Sequence, residues 1–236
     1  MSQPRNPIIV ALDVPHLESA LTLVDQLAPV VGAFKVGKEL FVAAGPDIVR
    51  RIRATGASVF LDLKFHDIPN TVAKAVEAAV RLDVQMLTIH TSGGLTMMQA
   101  AQKSAEEAAL RTGKSQPLVL GVTVLTSLNT NDLAEVGIPH DVGNQVERLA
   151  SLAAKAGLGG LVCSPLEIAR LRQILPSHVQ LVTPGIRPAD SKADDQKRTL
   201  TPKEAIAAGA SWLVIGRPIC AAPNPRAAAE AILASL

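Results

Sequence analysis

The sequence predicts an α/β protein built as a (β/α)8 barrel, and three observations predict it. Eight short apolar, β-branched runs recur along the 236 residues, helical patterns separate them, and polar residues gather just past the ends of the runs. The runs are Ile8–Leu12, Ala33–Val36, Ser58–Leu63, Met86–Ile89, Leu118–Leu125, Gly160–Cys163, Val179–Val182 and Trp212–Ile215. They are too continuously apolar to alternate between core and water, so they read as strands buried on both faces, as in a parallel sheet.

The helices follow from spacing and from their first residues. Leu17, Leu21, Val24 and Ala28 share one helical face, as do Val72, Val76, Ala79 and Val80, and then Val142, Val146, Leu149 and Ala153. Thr201-Pro-Lys-Glu204 is a capping box with Pro at the first helical position, and Asn224-Pro225 opens the last helix in the same manner. Eight strands alternating with helices favour a closed barrel. An open doubly wound sheet is the alternative, because assignments on short apolar runs can fail by one or two. No composition shift or linker divides the chain, so a single domain over residues 1–236 is expected.

Composition narrows the function. At 48% apolar the chain can build one sizeable core. The net charge is only +2 with scattered basic residues, and there is one Trp, no Tyr and four Phe. A nucleic-acid surface would need a basic stripe or stacking aromatics. No apolar run is long enough for a membrane span, and Met1 to Pro7 lacks a signal-peptide core, so a cytosolic protein is expected. Cys163 and Cys220 sit in or near apolar segments without metal-ligand spacing and read as buried, inert thiols.

The most informative stretch is Phe60-Leu-Asp62-Leu-Lys64-Phe-His-Asp67-Ile-Pro-Asn-Thr71. Strand interiors disfavour Asp and Lys. Period two places Asp62 and Lys64 on one face, with Asp67 just past the strand end. A carboxylate, an ammonium and a second carboxylate thus converge where a buried strand emerges. A structural ion pair is the plainer explanation of this segment taken alone. His66 is read as standing on the face opposite Lys64, away from that chemistry.

Polar residues also follow the other strands: Asp13, Lys35, His90, Thr126-Ser127, Arg187 and Arg217. A barrel brings such strand ends together at its C-terminal face. Thr183-Pro-Gly-Ile-Arg187 and Ile215-Gly-Arg217-Pro218 each place a Gly and an Arg where barrels frequently bind phosphate. Turn glycines with surface arginines would look similar. The charged segment from Arg187 to Arg198 fits a lid with Gln196 as an amide donor, or a solvated loop. His90 suits either an acid–base role or, better, a hydrogen-bonded supporting one.

Taken together, these motifs resemble the orotidine 5′-phosphate decarboxylase family over nearly the full chain. Asp62-Leu-Lys64-Phe-His-Asp67-Ile68-Pro-Asn-Thr71 is similar to the family's Asp-x-Lys-x-x-Asp-Ile-x-x-Thr signature. Ala11-Leu-Asp13-Val, Phe34-Lys35-Val-Gly37, Thr126-Ser127-Leu128, Pro184-Gly-Ile-Arg187 and Ile215-Gly216-Arg217-Pro218 resemble its other blocks in order. The resemblance implies decarboxylation of orotidine 5′-monophosphate to uridine 5′-monophosphate without metal or organic cofactor. By it, Lys64 is the proton donor to C6, Asp62 lies against the departing carboxylate, and Lys35 and Asp67 complete the charged array. It further implies that Asp13 and Lys35 hold the ribose and Thr126-Ser127 the pyrimidine. Gln196, Gly216 and Arg217 hold the phosphate with Arg187 nearby. Asp67 and Thr71 reach into the neighbouring subunit's site in a homodimer, and Ile68 is among the substrate-binding residues.

Elementary chemistry agrees. Loss of CO2 leaves charge on a ring carbon with no cofactor to absorb it, and a fixed ammonium stabilises that charge and then protonates it. Flanking carboxylates favour the charged form of Lys64. A metal-dependent sugar-phosphate relative would need an acidic ligand where Lys35 stands. A Schiff-base aldolase would need Lys64 neutral, which the carboxylates oppose. A phosphate-binding module without catalysis has no use for a lysine between acids.

Overall fold

The computed structural model describes residues 6–188 and 199–236. Among these, parallel strands close into a barrel in chain order: β1 (Ile8–Ala11), β2 (Ala33–Gly37), β3 (Val59–Phe65), β4 (Met86–His90), β5 (Leu118–Val122), β6 (Gly160–Val162), β7 (Gln180–Thr183) and β8 (Trp212–Ile215). β8 pairs back onto β1, with Ile9 opposite Val214, so no edge is left open. The doubly wound alternative is thereby excluded.

Helices wrap the barrel. The first five are α1 (Leu17–Leu27), α2 (Lys38–Ala44), α3 (Asp47–Ala54), α4 (Pro69–Arg81) and α5 (Gly94–Thr112). They are followed by α6 (Thr130–Glu135), α7 (Val142–Lys155), α8 (Ile168–Ile174), α9 (Pro202–Ala208), α10 (Arg217–Cys220) and α11 (Pro225–Ala234). None of them is long and apolar enough to cross a membrane. The face read from spacing is buried throughout in α4, at Val72, Val76, Ala79 and Val80, and in α7 at Val146, Leu149 and Ala153, with Val142 half-buried. In α1 the buried positions are Ala20, Val24 and Leu27, so of the expected face only Val24 is central, while Leu17, Leu21 and Ala28 pack at its edge. Thr201 caps α9 in a closed capping box, and Asn224 caps α11 by accepting the N–H of Ala227.

The strands are apolar on both faces because two cores need them. Ile9, Ala11, Ala33, Phe60, Met86, Leu120, Val182, Trp212 and Val214 fill the barrel interior. Their sequence neighbours Ile8, Val10, Phe34, Leu61, Leu87, Leu181 and Leu213 pack outward against the helices. The inward series then changes character as each strand climbs: Ile9 and Ala11 lead to Asp13, Ala33 to Lys35, and Phe60 to Asp62. Period two therefore carries charges into the mouth of an otherwise apolar barrel.

Two strand ends differ from the apolar runs by more than one residue. β3 extends through the charges to Phe65, because the backbone beyond Leu63 finds partners on β4. β5 stops at Val122, since its neighbour β6 is only three residues long and offers nothing to pair with Thr123 to Leu125.

Candidate active site

Asp62 sits at the centre of the charged residues. Its Oδ1 accepts from Lys64 Nζ at 2.8 Å, and its Oδ2 lies 3.8 Å from Lys35 Nζ. Lys35 Nζ also donates to Asp13 Oδ1 at 2.9 Å. The chain Asp13–Lys35–Asp62–Lys64 thus alternates in sign across three strand ends. The Lys35 and Asp62 side chains are only 12% and 13% exposed, so the pairs are weakly screened and each charge depends on its neighbour. Gly37 leaves room for this arrangement: a Cβ there would meet Lys35 Nζ at 3.0 Å and Asp13 Oδ1 at 3.4 Å.

Lys64 reaches Asp62 by an unusual backbone. Its φ is +55°, the left-handed region that lysine seldom adopts. Leu61 pairs with Leu87 and Phe65 with Ile89, four steps along β3 against two along β4, so the strand bulges at Asp62–Lys64. Thr88 of β4 fills the bulge. Its hydroxyl accepts the backbone N–H of Lys64 at 2.9 Å and donates to Asp62 Oδ1 at 3.1 Å. Thr88 was not among the candidates read from the sequence. The available signal was a hydroxyl at an inward position of a buried apolar strand, two residues before the polar end His90.

The bulge also corrects the placement of His66. Alternation alone would put residues 62, 64 and 66 on one face, not His66 opposite Lys64. His66 nevertheless leaves the site, because the left-handed backbone at Lys64 and the end of β3 after Phe65 redirect the chain. Its ring lies 5.4 Å from that of His90. Burial, then the nearby His66, Lys64 and Lys38, pushes the His90 imidazole down to about 4, so it is neutral at neutral pH. His90 does not line the central cavity.

That cavity, about 470 Å³, opens at the C-terminal ends of the strands. Asp13, Lys35, Asp62, Lys64, Thr126, Arg187, Gly216 and Arg217 line it, above apolar walls of Phe60, Val122, Val124, Val162 and Val214. A charged array stands at one side, and the two arginines come from the segments after β7 and β8. Ser127 is exposed and outside the lining, although its neighbour Thr126 is within it. Asp67, Ile68 and Thr71 are exposed and do not line it. The Asp67 carboxylate accepts the N–H of Ile68 at 2.7 Å, and Ile68 is 67% exposed. Gln196 and the rest of residues 189–198, most of the segment expected to form a lid, lie outside the described residues. Cys163 is buried, its thiol pushed up to about 12 by burial, and Cys220 up to about 11, so both thiols are protonated and unreactive at neutral pH.

Comparison with known proteins gives a consistent result. Residues 6–232 match the family model described as the orotidine 5′-phosphate decarboxylase / HUMPS family. The chain is 55% identical over 236 residues to the orotidine 5′-phosphate decarboxylase of Pseudomonas syringae pv. syringae (strain B728a), covering 100% of both chains. It is 53% identical over 233 residues to that of Moorella thermoacetica, covering 98% of this chain and 92% of the relative. The crystal structure of orotidine 5′-phosphate decarboxylase from Lactobacillus acidophilus superposes with a TM-score of 0.86 at 39% identity, over 96% of this chain and 97% of that one. A charged array in a barrel mouth, with a matching family model over almost every residue, leads to one conclusion: the chain belongs to the orotidine 5′-phosphate decarboxylase / HUMPS family.

Proposed function

We propose that this chain, which decarboxylates orotidine 5′-monophosphate to uridine 5′-monophosphate in pyrimidine biosynthesis, does so by a lysine-centred mechanism without a metal or organic cofactor. The observation that carries the mechanism is Asp62 held between two ammonium groups, Lys35 and Lys64, at the mouth of the barrel. The nucleotide lies in the cavity with its phosphate toward Arg187, Gly216 and Arg217, joined by Gln196. Asp13 and Lys35 hold the ribose, and Thr126 with Ser127 borders the pyrimidine. The carboxylate then stands beside Asp62, and C6 beside Lys64 Nζ.

When the bond between C6 and the carboxylate carbon breaks, CO2 departs and the electron pair stays on C6. The Lys64 ammonium stabilises that charge as it develops and transfers a proton to C6, giving uridine 5′-monophosphate. Solvent returns the proton to Lys64. Repulsion between Asp62 and the substrate carboxylate ends as CO2 leaves, and phosphate contacts remote from C6 supply the binding energy that holds the two together. Lys35 supports the metal-free reading, since it puts a cation where a divalent metal would need a carboxylate.

The functional unit is a homodimer whose sites are shared. Asp67, Ile68 and Thr71 lie outside their own cavity and are exposed, which suits residues that complete a partner's site. Residues 1–236 serve as one catalytic domain, and two unpaired thiols suit a cytosolic setting. The test is turnover of orotidine 5′-monophosphate, followed by absorbance, in excess EDTA. Undiminished turnover is expected. Activity lost with EDTA and restored by Mg²⁺ would overturn the metal-free mechanism.

A further inference from the structure

One buried hydroxyl touches both charged residues of β3. Thr88 lies in register with Leu120 of β5, points into the barrel and is fully buried. It accepts from the Lys64 backbone N–H at 2.9 Å and donates to Asp62 Oδ1 at 3.1 Å. That same carboxylate oxygen receives Lys64 Nζ at 2.8 Å. The backbone of Lys64 and the carboxylate that anchors its ammonium are thus referred to a single atom. Thr88 itself stands behind the cavity wall, not in its lining.

The bulge explains why this atom is needed. In a regular ladder the N–H of Lys64 would meet a carbonyl on β4; with the register shifted between Leu61 and Phe65, a side chain takes that place. A threonine hydroxyl offers one donor and two lone pairs, so it can serve the amide and the carboxylate together. Nothing intrinsic to lysine favours a φ of +55°, so the conformation must be imposed by its surroundings.

We infer that Thr88 is a positioning residue, which fixes the left-handed backbone of Lys64 and the Asp62 carboxylate so that the ammonium points at the reacting carbon. The inference rests on the lysine-centred mechanism above. Thr88→Val keeps the shape and deletes the hydroxyl, whereas Thr88→Ser keeps the hydroxyl. Displacing a reacting group by about 1 Å lowers rates on the order of 100-fold, so kcat of Thr88→Val is expected to fall roughly 10- to 100-fold. The phosphate contacts are untouched, so KM should stay within about 3-fold, and Thr88→Ser should recover most of the lost kcat. Crystal structures of both variants give the second measurement. In Thr88→Val, Lys64 should leave positive φ or its Nζ should part from Asp62 by more than roughly 4 Å, beyond ion-pair range.

Wild-type kcat in Thr88→Val, an equal loss in Thr88→Ser, or an unchanged Lys64–Asp62 geometry in Thr88→Val would each overturn the inference. If Thr88→Val does not fold, Thr88→Ala carries the same measurements. If the wild-type chain itself fails to turn over the nucleotide, the mechanism fails, and the variant structures still decide whether Thr88 sets the geometry of Lys64.

Discussion

Lys64 contributes through its ammonium, and its backbone is what brings that ammonium to Asp62. A non-glycine residue at positive φ is disfavoured by roughly 1–3 kcal/mol, so the fold sustains a local cost at the residue proposed to do the chemistry. Removing the side chain separates binding from catalysis. In the proposed mechanism Lys64→Ala deletes an interaction that strengthens only as charge develops on C6, whereas Arg187 and Arg217 still line the cavity where the phosphate is proposed to bind. Its kcat should therefore fall by roughly 100- to 1,000-fold or more, with affinity for uridine 5′-monophosphate altered by less than about 10-fold. Steady-state turnover and a nucleotide titration measure the two effects. Near-normal turnover in this variant would remove Lys64 from the mechanism.

At the scale of elements, the start of α9 shows how local chemistry sets a boundary near the site. The Thr201 hydroxyl accepts the Glu204 N–H at 3.3 Å while the Glu204 carboxylate accepts the Thr201 N–H at 2.9 Å. Leu200, just before it, accepts the N–H of Arg187 at 3.0 Å, so the capped helix and the segment after β7 are tied together. Thr201→Ala should remove about 1 kcal/mol of stability, which in a chain of this size lowers Tm by roughly 2–4 °C. Thermal unfolding followed by circular dichroism reads this, and an unchanged Tm would show the cap to be dispensable. Such starts were legible in the sequence because every partner lies within three residues. The end of β3 was legible only in part. Period two placed Asp62 and Lys64 together correctly, but it cannot foresee a bulge that depends on Thr88, 24 residues beyond Lys64. The early stop of β5 was hidden for a similar reason, since it depends on the shortness of β6. Contacts across strands are set by closure of the whole barrel, and no local pattern encodes them.

For the whole molecule, closure turns residues as distant as Asp13 and Arg217 into one cavity, and their shared position past the strand ends was enough to nominate them. Asp67, Ile68 and Thr71 are the exception. They belong to the same sequence motif as Lys64 yet stand outside the cavity, because the chain turns outward after Phe65 and enters α4 at Pro69. An isolated protomer thus presents a carboxylate and an exposed isoleucine beside its cavity. In a two-fold dimer one patch serves both subunits, so each would lend the residues it borrows. Complementation tests this directly. Lys64→Ala and Asp67→Ala chains, each inactive alone, are mixed under conditions that allow subunits to exchange. In a mixed dimer with shared sites, one site carries both lesions and the other carries none. About half of the heterodimer's sites should then be active, or about a quarter of all sites after random equal mixing. If Asp67 instead served the cavity of its own chain, every site in a mixed dimer would retain one lesion. Absence of recovery, with exchange confirmed by mass-tagged subunits, would rule out the shared site.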